Sequence, residues 1–257
     1  PRLPVVHRRP AREAARRLRR LIGQLVDTRR DLIENNEAPD DLATKIMTTR
    51  DPETGQSIDR QEMIDQVAIF FLAGHETSAA LLGWALWLLA AAPEWGDKVA
   101  SEAAPFWTEP GVSSLSKLAV TRDVIRETLR LYPPVPMFVR EAAQDEMFRA
   151  RNVRRGSQIV ISPWHLHRHT RHWERPDSFD PGRWNTATGR ASSRAAYLPF
   201  SKGRRVCPGA GFAMAEAAVL LTGVMRRFRF EISEDPVPVA HLTVRARDGI
   251  TLKVFPR

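Results

Sequence analysis

The segment Phe200-Ser201-Lys202-Gly203-Arg204-Arg205-Val206-Cys207-Pro208-Gly209 sets the only cysteine of the chain between a glycine-containing loop and a helix predicted over 209–227. Backbone amides at a helix N-terminus and neighbouring arginines favour the thiolate, which is the form of cysteine that ligates a metal. Gly203 and Gly209 leave room for backbone N–H groups beside the sulfur, and hydrogen bonds of that kind tune a bound metal's potential. From the cysteine and the helix alone, a buried thiol opening a helix is the favoured account. A second cluster is Ala73-Gly74-His75-Glu76-Thr77-Ser78, inside a long apolar stretch. Glu76 and Thr77 put an acid and an alcohol at adjacent helix positions, a pair that can pass a proton. Gly74 lets backbone approach a ligand, and a mid-helix threonine can bond back to a carbonyl and open the ladder. Two polar residues alone fit an ordinary kink better. Glu127 and Arg130, three apart, share a helix face where an ion pair forms easily.

The whole pattern changes these odds. The ten residues meet Phe-x-x-Gly-x-Arg-x-Cys-x-Gly at every fixed position and resemble the haem-binding loop of the cytochromes P450. In the same chain order, Ala73–Ser78 resembles the family's distal segment and Glu127-x-x-Arg130 its Glu-x-x-Arg helix. Phe179 with Pro181-Gly182-Arg183-Trp184 resembles its Pro-Glu-Arg-Phe region, with Gly182 and Trp184 as departures. The resemblance implies haem b ligated by Cys207, and a thiolate on haem iron favours O–O cleavage. It implies Phe200, Gly203 and Gly74 around the haem, Arg205 and Arg140 on its propionates, and a proton relay through Thr77 and Glu76. It implies a buried structural triad of Glu127, Arg130 and Arg183. The implied activity is a haem-thiolate monooxygenase acting with O2 on a lipophilic small molecule. Electrons would come from NAD(P)H through an acidic ferredoxin or flavodoxin-type donor docking near Lys202, Arg204, Arg205, Arg122 and Arg126. Pocket walls would come from 70–77, 135–138 and 240–244. Two alternatives stand beside it: a peroxide-driven hydroxylase, against which Glu76-Thr77 argues, and a truncated, catalytically silent haem-binding fragment.

The elements that must carry these residues read as mainly α with a small segregated β-sheet, in a single domain over 1–257 that is the C-terminal part of a P450-like fold. Helices are predicted over 11–35, 40–48, 59–92 (Asp59 capping, with Glu62 three residues on), 94–104, 117–132 and 209–227. Strands are expected within 135–162 and 228–255, with Asp248-Gly249 as a hairpin turn. The stretch 164–196 reads as irregular. His165, His167, His169 and His172 lie close together, but no cysteine or carboxylate completes a zinc spacing.

A hydrophobic share of 43% supports a sizeable core in 257 residues, and one cysteine excludes an internal disulfide. Residues 1–30 hold ten arginines against Glu13 and Asp27, a local net of +8 within the chain's +9. The basicity therefore belongs to one solvated segment and argues against nucleic acid binding. The seven tryptophans are expected as core bodies rather than a stacking platform. His75 and Glu76 interrupt the longest apolar region, so this segment does not require a membrane and a cytoplasmic location is expected, an upstream anchor aside. The chain opens at Pro1 without an initiator methionine, so a missing N-terminal portion is expected.

Overall fold

The computed structural model describes residues 9–257, so Arg2 and Arg8 of the basic segment lie outside the described residues. The chain divides into two compact units, Pro1–His75 and Glu76–Arg257.

In the first unit, α1 (Arg9–Glu34) and α2 (Leu42–Thr48) are followed by the start of α3 (Arg60–Ala91). Its core is Ile22, Val26, Met63 and Ile64, with Leu18 and Ile46 packed around them. Asp41 caps α2 by accepting from the Thr44 amide at 2.9 Å. That amide, with the Arg29 guanidinium, holds the Asp41 carboxyl at about 2. Asp59 accepts from the Glu62 amide at 2.9 Å, the cap expected for α3. Arg19 pairs with Asp65 and Arg60 with Asp27, so part of the charge here is neutralised internally.

The second unit holds the rest of α3, then α4 (Pro93–Thr108), α5 (Ala119–Leu131), the short α6 (Pro163–Leu166), α7 (Ala187–Ala196) and α8 (Ala210–Met225). Leu81, Ala85 and Leu89 of α3 share a core with Val99, Ile125, Leu129, Ala217 and Leu221. By length and composition, α3 is the one described helix able to cross a membrane. From Leu81 on, it is a core helix of this unit.

Among the described residues, eight short strands form four antiparallel pairs. They are β1 (Phe138–Glu141) with β4 (Gln158–Ile161), and β2 (Glu146–Phe148) with β3 (Arg151–Val153). The others are β5 (Phe228–Ile232) with β8 (Leu252–Pro256), and β6 (Pro238–Ala240) with β7 (Val244–Ala246).

Three expectations need correcting. Asp248-Gly249 does not turn a hairpin, because β7 pairs back onto β6 and β8 onto β5. Gly249, at φ 87, instead turns the chain from one sheet to the other. Helix α4 runs past Pro105 to Thr108. An interior proline costs a helix about 3 kcal/mol, and here burial of Phe106 and packing of Trp107 on the core offset it. The stretch 164–196 is not irregular throughout, since Thr186 caps α7 by accepting from the Gly189 amide at 2.9 Å. A Cβ at Gly189 would overlap the Arg183 carbonyl, so glycine is what allows α7 to start there.

Candidate haem-thiolate site

The Cys207 loop is closed by its own backbone. The Cys207 amide donates to the Phe200 carbonyl at 2.9 Å, and the Val206 amide to the Gly203 carbonyl at 3.0 Å. Ser201 and Gly203 both sit at positive φ, 65° and 76°, a region glycine enters without strain. At Ser201 the strain is met by Arg140 of β1, whose Nη2 donates to the serine Oγ at 2.6 Å. The sequence-predicted Arg140 is thus fastened to the Cys loop. Gly209 opens α8 with ordinary backbone angles, and a Cβ there would make normal contact with Sγ at 3.9 Å. Its expected role in opening space beside the sulfur is not required sterically. Cys207 itself is exposed. Free cysteine is among the most buried residue types, and this one is not covered by the described residues.

Glu76 and Thr77 stand side by side on α3, both half-buried. The Glu76 carboxylate does not stand alone: its Oε1 accepts from the Thr243 hydroxyl at 2.6 Å and faces the Arg245 guanidinium at 3.2 Å. One residue beyond Thr77, the Ser78 hydroxyl donates to Glu216 of α8 at 2.7 Å. This ties α3 to the helix that begins at the cysteine loop. Sequence reading missed Glu216 and Arg245, and held Thr243 only as part of the expected pocket wall over 240–244, without its link to Glu76. Glu216 had a signal, because it is the only charged residue in an otherwise apolar α8 and such a group demands a partner. Arg245 had none, and nothing pointed from Thr243 to Glu76, because the β6–β7 hairpin is brought to α3 by the fold alone.

Glu127, Arg130 and Arg183 come together as the resemblance implied. Arg130 grips the carboxylate with two bonds, Nε to Oε2 at 3.0 Å and Nη2 to Oε1 at 2.8 Å. The Arg183 Nε adds a third at 2.9 Å. Two guanidiniums on one carboxylate leave an excess positive charge out of water. Backbone carbonyls absorb it: His167, Pro176 and Ser178 for Arg130, and Glu174, Arg175 and Ser178 for Arg183. Gly182 keeps Arg183 in place, its amide donating to Asp180 at 3.1 Å. Trp184 is buried 4.1 Å beneath the Arg126 guanidinium.

The four histidines go to separate tasks. His165 bonds the Ser162 hydroxyl and His169 accepts from the Arg171 amide, while His172 lies 5.7 Å from the His169 ring. His167 is buried and accepts from the Leu198 amide at 2.8 Å through Nε2. None of the seven tryptophans is exposed.

The residues around the thiol fit a flat macrocycle bearing two carboxylates. Val206 and Phe212 present exposed apolar surface on either side of Cys207 in sequence. A Cβ at Gly203 or at Gly211 would meet nothing within 4 Å among the described residues. In the first unit, taken by itself, Gly74 has the same room. Arg205 is exposed and Arg140 half-buried, each with a fork suited to a carboxylate.

Comparison with known proteins gives the same answer over nearly the whole chain. Cyclooctatin synthase of Streptomyces melanosporofaciens is 33% identical over 97% of this chain and 53% of its own length. Cytokinin hydroxylase of Arabidopsis thaliana is 34% identical over 99% of this chain and 51% of its own length. The crystal structure of the cytochrome P450DA heme domain aligns with a TM-score of 0.83 at 29% identity, over 93% of this chain and 53% of that one. The chain therefore spans about half the length of the relatives it matches. Residues 2–254 match the cytochrome P450 family, and the chain belongs to it.

Proposed function

We propose that the protein of which this chain is part is a haem-thiolate monooxygenase acting on a lipophilic small molecule. The observation that carries the reading is the exposed Cys207 thiol at the mouth of α8, on a loop closed by its own amides and braced by Arg140. The hydroxylase and monooxygenase names among the relatives support oxygen insertion as the reaction class. In this reading Cys207 Sγ is the protein ligand of the iron, and Arg205 and Arg140 bind the propionates of haem b. When bound, haem supplies the O2 activation that puts one oxygen atom into the substrate and releases the other as water. The chain's own part is to hold the group, exclude water with apolar surface and deliver protons. The Thr77 hydroxyl passes its proton inward and is replenished from Glu76, which recharges from solvent. Electrons reach the site from NAD(P)H through a docking redox protein, of the acidic ferredoxin or flavodoxin type.

The test is the absorption spectrum of the reduced, CO-bound protein. A Soret band shifted strongly to the red is expected, and Cys207→Ser should abolish it while some haem is retained. A Cys207→Ser protein that keeps the band ends the assignment. Product formed as fast from hydrogen peroxide alone as with a reductase would favour the peroxide-driven hydroxylase. Haem bound without the band in the unaltered protein would favour a silent fragment.

A further inference from the structure

The β6–β7 hairpin brings two side chains to a carboxylate that the monooxygenase reading uses. We propose that Arg245 and Thr243 are positioning residues for Glu76, fixing which carboxylate oxygen takes up the proton passed on to Thr77. The inference rests on the monooxygenase reading and deepens it.

The hairpin is fastened on both sides of Glu76's partners. The Val244 amide donates to the Pro134 carbonyl at 2.9 Å, and the indole N–H of Trp84 donates to the Val244 carbonyl at 3.2 Å. Val244 is 1% exposed. Trp84 lies eight residues beyond Glu76 on α3, near the same helical face, so this edge of the hairpin runs along the helix. Side chains alternate along a strand. With Val244 anchored, Thr243 and Arg245 on either side of it turn together toward Glu76.

Both contacts fall on one oxygen. The Thr243 hydroxyl has a single proton and spends it on Oε1, at 2.6 Å, and Arg245 approaches the same atom at 3.2 Å. Oε1 is thereby held as an acceptor, and Oε2 becomes the oxygen that exchanges. A proton from solvent binds Oε2, is given to the Thr77 Oγ1 as that hydroxyl releases its own inward, and leaves both side chains as they began. An ion pair this open adds little to folding, since the side chains of Arg245 and Glu76 are 58% and 33% exposed. The effect of the contact is on where the charge sits.

The haem-loaded protein carrying Arg245→Gln, Arg245→Lys or Thr243→Val tests this, with Thr77→Ala as the reference for a broken relay. Arg245→Gln and Thr243→Val should each lower product formed per electron consumed by about fivefold, the scale of one such contact. Released peroxide and the H2O/D2O rate ratio should rise, and Arg245→Lys should restore most of the coupling. Adding Arg245→Gln to Glu76→Gln should cost nothing more. A second readout needs no turnover. In the infrared difference spectrum between the unaltered protein and Glu76→Gln, the carboxylate band should move when Arg245 is Gln and return when it is Lys. An unmoved band, unchanged coupling in Arg245→Gln, or a further loss on top of Glu76→Gln would each overturn the proposal. If the unaltered protein lacks the red-shifted CO band, the monooxygenase reading falls instead, and the infrared shift still reports on the pairing alone.

Discussion

Two glutamates in the second unit each face an arginine, and burial separates their fates. Glu127 and Arg130 are 0% exposed and Arg183 is 7% exposed, with every charge answered by a second guanidinium or a carbonyl. Glu76 and Arg245 are only partly shielded from water, with one hydroxyl as their third member. Desolvated, such a cluster cannot trade protons or lose a member without leaving a charge stranded, so it acts as a determinant of the fold. Solvated, the same chemistry contributes little to stability and keeps an oxygen that can exchange. The residue pair does not say which role it has; its surroundings do.

Removing the buried carboxylate should give the largest effect. Glu127→Gln strips the counter-charge from two guanidiniums and leaves the Asp180 amide with a weaker acceptor at Oε1. Breaking a buried pair in this way costs about 3–5 kcal/mol, to be read from denaturant unfolding. Glu76→Gln should shift the same curve by less than about 1 kcal/mol. Equal losses at the two sites would remove the distinction drawn between them.

That distinction marks the line between what the sequence revealed and what it did not. The Cys207 loop was legible as a pattern of residue types at fixed spacing within ten positions of chain, and its proposed chemistry only through the family resemblance that pattern carries. The capped α3 was legible for the same local reason, through Asp59. Glu127, Arg130 and Arg183 were legible as a set only through the family pattern, since 53 residues separate Glu127 from the Asp180 amide that also bonds it. The Thr243–Glu76 contact spans 167 residues, and nothing local in either segment announces it. The β5–β8 pairing and the passage of α4 through Pro105 were hidden likewise, because tertiary packing decided them against the nearest local signal.

His167 extends the comparison to pH. Its carbonyl accepts from Arg130 in the buried cluster, and its ring accepts from Leu198, an arrangement that needs the neutral imidazole. Burial, with the Arg130 charge adding to it, lowers the ring to about 4 from an ordinary 6.5, although nearby backbone of Arg130 and Leu129 pulls the other way. Between these values the unfolded chain binds a proton that the folded one does not. Stability should therefore rise with pH from about 4 to 6.5 and level off above. The ring's share is at most about 3 kcal/mol over that window. His167→Gln keeps an acceptor for Leu198 and cannot titrate, so its denaturation midpoint should vary less with pH between about 4.5 and 6.5. An unaltered slope in that variant would mean other groups carry the acid sensitivity.

The smallest effect expected is on a rate, at charges that neither cluster uses. Lys202 and Arg204 are exposed on the Cys loop, and Arg122 on α5 is half in solvent with only a 3.7 Å contact to Asp123. The Tyr197 hydroxyl, donating to the Arg126 carbonyl at 3.0 Å, holds α5 beside the chain leading into that loop. Arg126, expected from the sequence to join this surface, is unsuited to the test because its guanidinium covers Trp184. Arg205 is set aside for the propionate role proposed for it. Electron-transfer encounters bury little area, so charge steers them more than apolar contact does. Reversing Lys202, Arg204 and Arg122 to Glu should slow reduction by an acidic donor about tenfold at low salt, through association. The difference should fade as salt shortens the screening length toward about 8 Å. Unfolding curves should not move, in keeping with the solvated side of the comparison. An unchanged reduction rate at low salt would place the donor on another face, while a stability loss would show that these charges belong with the buried set after all.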